Sequence, residues 1–222
     1  MNDAVGSRYV LPDLPWNPVS LQPQCLAEML IAHHDQHHAA HVDRANRALD
    51  QVDGARLRRD WPMVNQLETE IAINLSEHAL HGIFWTNIGP ATGEPPRGDL
   101  RIAIEERFGN LDTLCERFTR VAGAACKGGW TTLAWDPIGR QLVIERIHDD
   151  HSIAIDSARL LLVCDMWRHA YAMQYGQDRA RWLQAFWEII DWRNVEARLI
   201  AQVDDLVLEP YAAPLFGCSM RV

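Results

Sequence analysis

Ten histidines stand in this 222-residue chain, and three runs that hold most of them raise the question of metal chemistry before any other. His33 opens a dense run, Ala32-His33-His34-Asp35-Gln36-His37-His38. His81 sits in His78-Ala79-Leu80-His81-Gly82-Ile83-Phe84-Trp85, and a carboxylate and an imidazole frame Asp165-Met166-Trp167-Arg168-His169. Three imidazoles and one carboxylate make a mixed nitrogen and oxygen donor set that suits iron or manganese as well as zinc. Histidines also gather on solvated helix faces, and any one of these runs alone is a weak metal signal. Together, each beside apolar or aromatic residues, they mark His33, His81, Asp165 and His169 as the ligand set of one mononuclear site.

Spacing adds direction. On a helix, residues four apart share a face, so His33, His37 and His41 form one stripe and His34 and His38 another. Only one of these stripes is expected to face the core. Asp165 and His169 share the same spacing; a strand that ends at Asp165 and turns into a helix aims both inward. One carboxylate and three neutral imidazoles leave a trivalent ion with enough positive charge to acidify a bound water. Trp85, Trp130 and Trp167 are expected to form an apolar cage around it while also serving the core.

The elements that must position these groups show in the periodicity. Residues 24 to 52 read as one long helix with Pro23 near its start, and Trp61-Pro62 breaks the chain. Residues 62 to 87 resume a helical pattern through Leu67, Ile71, Ile73, Leu75 and Leu80. The pair makes an antiparallel hairpin that carries His33 and His81. Turn formers from Gly89 to Gly98 mark a linker, and helices follow near 99–108 and 111–127. Trp130 to Trp135 and Gln141 to Ile147, separated by Asp136-Pro137-Ile138-Gly139, read as a strand hairpin, and Arg159 to Asp165 as a third strand. Helices near 178–190 and 193–207 close the chain. The expected fold is α+β: an N-terminal α-helical hairpin domain over residues 1–91, and a C-terminal α/β domain with a three-stranded antiparallel sheet over residues 98–222. The metal belongs between them. Internal repeats and low-complexity segments are absent.

Composition bounds the partners. Nearly half the residues are apolar, enough for a sizeable core. The longest apolar run, Leu160 to Cys164, is strand-sized and too short for a bilayer. The start of the chain, with Asp3 and no basic-then-apolar stretch, reads as lacking a secretory signal. Five cysteines, odd in number and without paired spacing, point to reduced thiols in a cytoplasmic protein. A net charge of −9 without Lys/Arg blocks argues against nucleic acid and anionic membrane. An anionic substrate must then be drawn in by local positive potential.

Nearly end to end, the chain resembles the iron/manganese superoxide dismutase family. The likeness begins at Tyr9-Val10-Leu11-Pro12-Asp13-Leu14-Pro15-Trp16 and runs through the histidine cluster and His81-Gly82-Ile83-Phe84-Trp85. It continues through Phe108-Gly109, Gly128-Gly129-Trp130 and Asp165 to His169, then closes with Ala185-Phe186-Trp187 and Asp191-Trp192. The stretch before Tyr9 and the tail after about Leu206 fall outside it. The resemblance implies an oxidoreductase that dismutates superoxide to oxygen and hydrogen peroxide with iron or manganese. It makes His33 a metal ligand and puts His37, a turn later, at the substrate entrance; His34 and His38 are left as surface or packing residues.

The departures from the family pattern gather around that entrance. The family's entrance tyrosine falls at His41, which titrates near neutral pH and changes the character of proton supply. The glutamate that precedes the last ligand, and that accepts a bond from the ligand histidine of a partner subunit, is replaced by Arg168. A guanidinium has donors only. A tyrosine that bonds across the same interface is Ala172, so the implied homo-oligomer has an altered interface. The outer glutamine that bonds metal-bound solvent falls at Glu77 in the iron-like arrangement, or near Asp149-Asp150-His151 in the manganese-like one. Glu77, Asp150 and His151 therefore join His37, His41 and Arg168 as candidate catalytic residues. An acid there either adds negative charge beside the metal or carries a raised pKa, while Glu77 can equally be a solvated helix-face carboxylate. A polar side chain at position 77 inclines the reading towards iron. Three functions stay open: dismutation of superoxide, a repurposed metalloenzyme, or a non-catalytic metal-binding protein. The repurposed enzyme would activate oxygen on, or transform, an organic metabolite, with Arg168 as the partner of a substrate carboxylate.

Overall fold

A computed structural model describes residues 9–124, 128–147, 152–153 and 157–205. The first arm of the hairpin runs through α1 (Ala27–Ala32), a π-helical segment (His33–His38) and α2 (Ala39–Leu57), and α3 (Trp61–Asn87) returns antiparallel to it. Helix α1 starts at Ala27 and not at residue 24 because the preceding backbone is claimed from elsewhere. The Leu26 N–H donates to Gln174 Oε1 (2.7 Å), and the Tyr175 hydroxyl donates to the Gln24 carbonyl (2.6 Å). Helix α2 ends where Arg59 adopts a φ of 57°, and Asp60 caps α3 by accepting the Met63 N–H (3.2 Å). Pro62 sits in the first turn of α3, where its missing donor costs nothing. Ala48, Ala55 and Leu67 form a small cluster between the arms; side chains that short let two helices approach closely.

Helices α4 (Gly98–Phe108) and α5 (Leu111–Gly123) lead into the sheet. Its strands are β1 (Trp130–Asp136), β2 (Gln141–Ile147), β3 (Ser152–Ile153) and β4 (Arg159–Asp165), in the order β3-β2-β1-β4 with antiparallel neighbours. The three strands expected from the pattern are present, and the two-residue β3 adds a short edge. Helices α6 (Arg168–Tyr175), α7 (Arg179–Glu188) and α8 (Trp192–Asp205) complete the described chain.

Two features fix the strand that carries Asp165. In the register, Trp130 lies opposite both Asp165 on β4 and Ile147 on β2. Strand β4 is an edge strand, so its outward backbone groups need partners. Asn87, the last residue of α3, donates to the Leu161 carbonyl and accepts the Val163 N–H, both at 3.0 Å. The end of the hairpin is thereby bonded to the sheet. Buried Phe84, Trp85, Trp130, Leu162, Trp182 and Phe186 belong to one continuous core that spans hairpin, sheet and closing helices. Gly128 is required where it stands: its φ is +99°, and a β-carbon there would collide with the Trp167 ring. No helix among the described residues is long and apolar enough to cross a membrane.

Candidate metal centre

Four elements converge between hairpin and sheet. The π-helical segment supplies His33, α3 supplies His81, the end of β4 supplies Asp165, and the first turn of α6 supplies His169. One donor atom from each lies within 4.8 Å of the others. Asp165 Oδ2 is 3.1 Å from His33 Nε2 and 3.0 Å from His169 Nε2. His33 Nε2 reaches Asp165 at contact distance but not along a hydrogen-bonding direction, and it and His81 Nε2 are buried without a hydrogen-bond partner. An orphaned buried polar atom costs roughly 1–3 kcal/mol. His169 Nε2 and Asp165 Oδ2 hydrogen-bond each other (3.0 Å), while the His33 and His81 nitrogens are left for a cation to satisfy; three nitrogens and an oxygen fit iron or manganese.

Outer contacts hold each donor in place. The His81 Nδ1–H donates to the Glu77 carbonyl (2.7 Å), which leaves the lone pair on Nε2. Asp165 Oδ1 accepts the Trp167 N–H (2.7 Å), and the Trp182 indole donates to the Asp165 carbonyl (3.0 Å), so Oδ2 is the oxygen that faces the site, where it meets His169 Nε2. Burial pushes the His33 and His81 imidazoles below their ordinary range, towards the neutral form that can ligate. Burial alone would raise the Asp165 carboxyl, but the facing His169 and His33 outweigh it and hold the group well below the ordinary carboxylate range.

The surroundings correct two expectations. The Trp85 ring lies 4.8 Å from His33 and the Trp130 ring 4.9 Å from His81, whereas Trp167 packs over Gly128 and makes no ring contact with the four donors among the described residues. The cage has two tryptophans, not three. His34 and His38 are buried as well as His33 and His41, so both histidine stripes face inward. The cause is the π-helical winding. Its i→i+5 bonds turn each residue through a smaller angle than α winding does, which spreads the histidines over a wide buried arc. His38 stacks on His81 (4.9 Å, 14°) and accepts the Trp85 indole N–H at Nδ1 (3.0 Å). Its Nε2 therefore carries the hydrogen and donates to His78 Nδ1 (2.7 Å).

Of the other candidate residues, His37 is half-buried and stacks on His169 with ring centres 3.5 Å apart. Buried His41 bonds His37 (3.3 Å) through Nε2 and Asn74 Oδ1 (2.9 Å) through Nδ1. Because Asn74 spends its Nδ2 on the Glu70 carbonyl (2.7 Å), it accepts from His41, and His37 must then donate to His41 Nε2. Glu77 is not a solvated carboxylate: its side chain is 14% exposed, takes the Trp130 indole N–H (3.2 Å) and lies 3.6 Å from His81 Nδ1. Arg168 is exposed at the mouth of a cavity over His33, His37 and His169. Asp150 and His151 lie outside the described residues. Sequence reasoning missed Asn74, Trp182 and Arg44, the last of which also lines the cavity. Asn74 is two turns before His81 and Arg44 two turns after His37, a shared-face signal that was there to use. Trp182 has no local signal.

A nitrogen-rich, one-carboxylate centre held between a helical hairpin and an antiparallel sheet defines a mononuclear metalloprotein. Two family profiles match the chain: the α-hairpin domain of iron/manganese superoxide dismutases over residues 8–89, and the C-terminal domain of the same family over residues 96–198. The Mn/Fe superoxide dismutase of Propionibacterium freudenreichii subsp. shermanii is 36% identical over 192 residues, 86% of this chain and 96% of that protein. The Mn superoxide dismutase of Mycobacterium leprae and the Fe superoxide dismutase of Mycobacterium tuberculosis are each 34% identical over 195 residues, 88% of this chain and 94% of theirs. The chain belongs to the iron/manganese superoxide dismutase family.

Proposed function

We propose that the chain is a superoxide dismutase that holds one iron or manganese ion on His33, His81, Asp165 and His169 and converts superoxide to oxygen and hydrogen peroxide. The observation that carries this reading is the convergence of two buried, unpartnered Nε2 atoms with Asp165 Oδ2, in a chain whose relatives are named superoxide dismutases. The ion supplies the one-electron oxidation and reduction that these side chains lack. Trp85 and Trp130 keep water from the donors, and Glu77 positions His81 through its own carbonyl. The Asn74–His41–His37 chain holds His37 at the cavity wall, where an arriving anion passes. Arg44 and Arg168 supply local positive potential in a chain of net charge −9. Relatives of equal identity carry iron in one case and manganese in the other, so likeness does not choose the metal.

The same reading includes a homo-oligomer with an altered contact at Arg168 and Ala172, a division near residues 91–98, and a cytoplasmic setting. The free thiols Cys25, Cys115 and Cys164 favour that setting. The test is dismutation by protein loaded separately with iron and manganese, with bound metal measured in each sample. Turnover proportional to bound metal is expected with at least one of them; metal-replete protein without turnover overturns the assignment.

A further inference from the structure

Where the hairpin turns from α2 into α3, the chain exposes Leu57 (75%), Trp61 (59%) and Met63 (39%), with exposed Pro62 between the last two. Large apolar side chains exposed singly need no explanation, but three gathered in one turn mark a contact surface. At about 1.5 Å per residue, α3 puts about 30 Å between Trp61 and His81. The tip is thus at the opposite end of the hairpin from the metal centre and from Arg168 and Ala172. The same turn carries three exposed arginines. Arg56 is paired with Asp53 (3.2 Å), whereas the guanidinium groups of Arg58 and Arg59 have no ion pair or hydrogen bond among the described residues. Asp60 spends a carboxylate oxygen on the Met63 N–H.

Arg59 stands in a backbone position that resists it. The Arg59 N–H donates to the Arg56 carbonyl and the Asp60 N–H to the Ala55 carbonyl, both at 3.0 Å. A helix that ends with this pair of bonds ordinarily has glycine at the residue with positive φ. Arg59 holds a φ of 57° there, with a β-carbon that crowds the backbone. What arginine offers in that place, and glycine does not, is an outward cation, and a strained residue of this kind points to a role. Tryptophan, methionine and arginine are the side chains enriched in protein contacts, and guanidinium forks match carboxylates. A broad anionic surface, membrane or nucleic acid, would also meet the rest of a chain of net charge −9. A second copy docked tip to tip would bring the same cations together. A short acidic segment meets the tip alone.

We propose that the hairpin tip docks an acidic peptide segment of another protein, its carboxylates on Arg58 and Arg59 and its apolar side chains against Leu57, Trp61 and Met63. The surface goes beyond dismutation and shares no residue with the metal centre, so its occupation does not require turnover of superoxide.

Isothermal titration calorimetry on the metal-loaded full chain tests this with a blocked 12-residue peptide of Asp-Glu-Phe-Ser repeats. One control peptide has Asn and Gln for the acids, and a second has Ser for Phe. The first peptide is expected to bind saturably at one site per chain, with each control at least about tenfold weaker. Losing a charge-assisted bond has about that effect, so Arg58→Gln and Arg59→Gly are each expected to weaken the peptide roughly tenfold. Trp61→Ser is expected to weaken it by a similar factor and to leave its dependence on salt unchanged, as loss of an apolar contact requires. Arg59→Gly also relieves the backbone, so its thermal melt is expected no lower than that of the parent, and its loss of binding is not loss of fold. Absence of saturable heat, equal affinity for the neutral control, or indifference to both arginine variants overturns the proposal. Tighter binding of phosphatidylglycerol vesicles or of a 12-nucleotide single strand through the same arginines overturns it in favour of that partner. An assembly whose copies cover the tip at every dilution overturns it too.

Discussion

His81 and Asp165 have no exposed surface, and each is tied by backbone bonds that leave one donor atom facing the centre. Arg44 and Arg168 stand in solvent at the mouth of the same cavity, with no bond among the described residues to hold them. Floor and rim thus differ in what constrains them. On the floor, any change leaves an unsatisfied buried group or breaks the donor set, so the four residues must act as a unit. At the rim a side chain can be exchanged with little structural consequence, and Arg168 departs from the family pattern there, whereas the departures at buried His41 and half-buried Glu77 are bonded into the surroundings of the donors. The floor sets the kind of chemistry, and the rim sets what reaches it.

The sharpest way to break this contrast is to remove a floor donor. His81→Ala takes away the ligand supplied by α3 while His33 on the other arm of the hairpin, Asp165 and His169 remain. Even partners outside a ligand set are worth about 10–100-fold in metal affinity, so loss of a ligand is expected to exceed about 100-fold. Metal analysis after dialysis should find the variant nearly empty. Full occupancy would mean that the centre lies elsewhere.

Acid offers a second, graded test of the floor. Burial pushes the His37 and His38 imidazoles down to about 3, with the neighbouring histidines adding to it. In the unfolded chain both take up protons below about pH 6.5. Both stay neutral in the folded chain, so the unfolded state binds more protons throughout the window between. Stability is therefore complete above about pH 6.5 and falls towards pH 3, by at most about 1.4 kcal/mol per pH unit for each group. Denaturant unfolding of metal-free protein between pH 7 and 5 should show this slope, and His38→Gln should reduce it. A flat profile would mean that these imidazoles find protons in the folded state.

The floor was readable in the sequence and the arrangement around it was not. Asp165 and His169 share helical spacing, and the alternation of strand and helix around them already aims both at one point. The α-helical period misled for His34 and His38, because a π-helical segment carries no compositional mark and changes the winding where the histidines are densest. Helix α1 begins later than its pattern because Gln174 and Tyr175, some 150 residues away, take the backbone groups that would have started it. The cavity belongs to the same class of feature. Ala32, Gln36, Ala40 and Arg44 recur every four residues, but only the packing of α6 opposite them turns that stripe into a wall.

The smallest expected effect is at the rim, and its sign is informative. Arg168 is the first residue of α6, where the helix presents unpaired N–H groups and a partial positive charge. A cation there is on the wrong end of the dipole, and exposed charges at such positions are worth about 0.3–1 kcal/mol. Arg168→Glu should therefore stabilise the protein slightly, by about that amount, with Arg168→Gln in between. Bound metal should stay unchanged in both, since the side chain is exposed and bonds none of the four donors among the described residues. Denaturant midpoints taken at several protein concentrations, and compared where they no longer change with concentration, keep any change in self-association out of the comparison. If Arg168→Glu instead costs more than about 1 kcal/mol, or releases metal, the side chain belongs to the buried network and the separation of rim from floor fails at its outermost residue; surface substitutions away from such networks stay within about 0.5 kcal/mol.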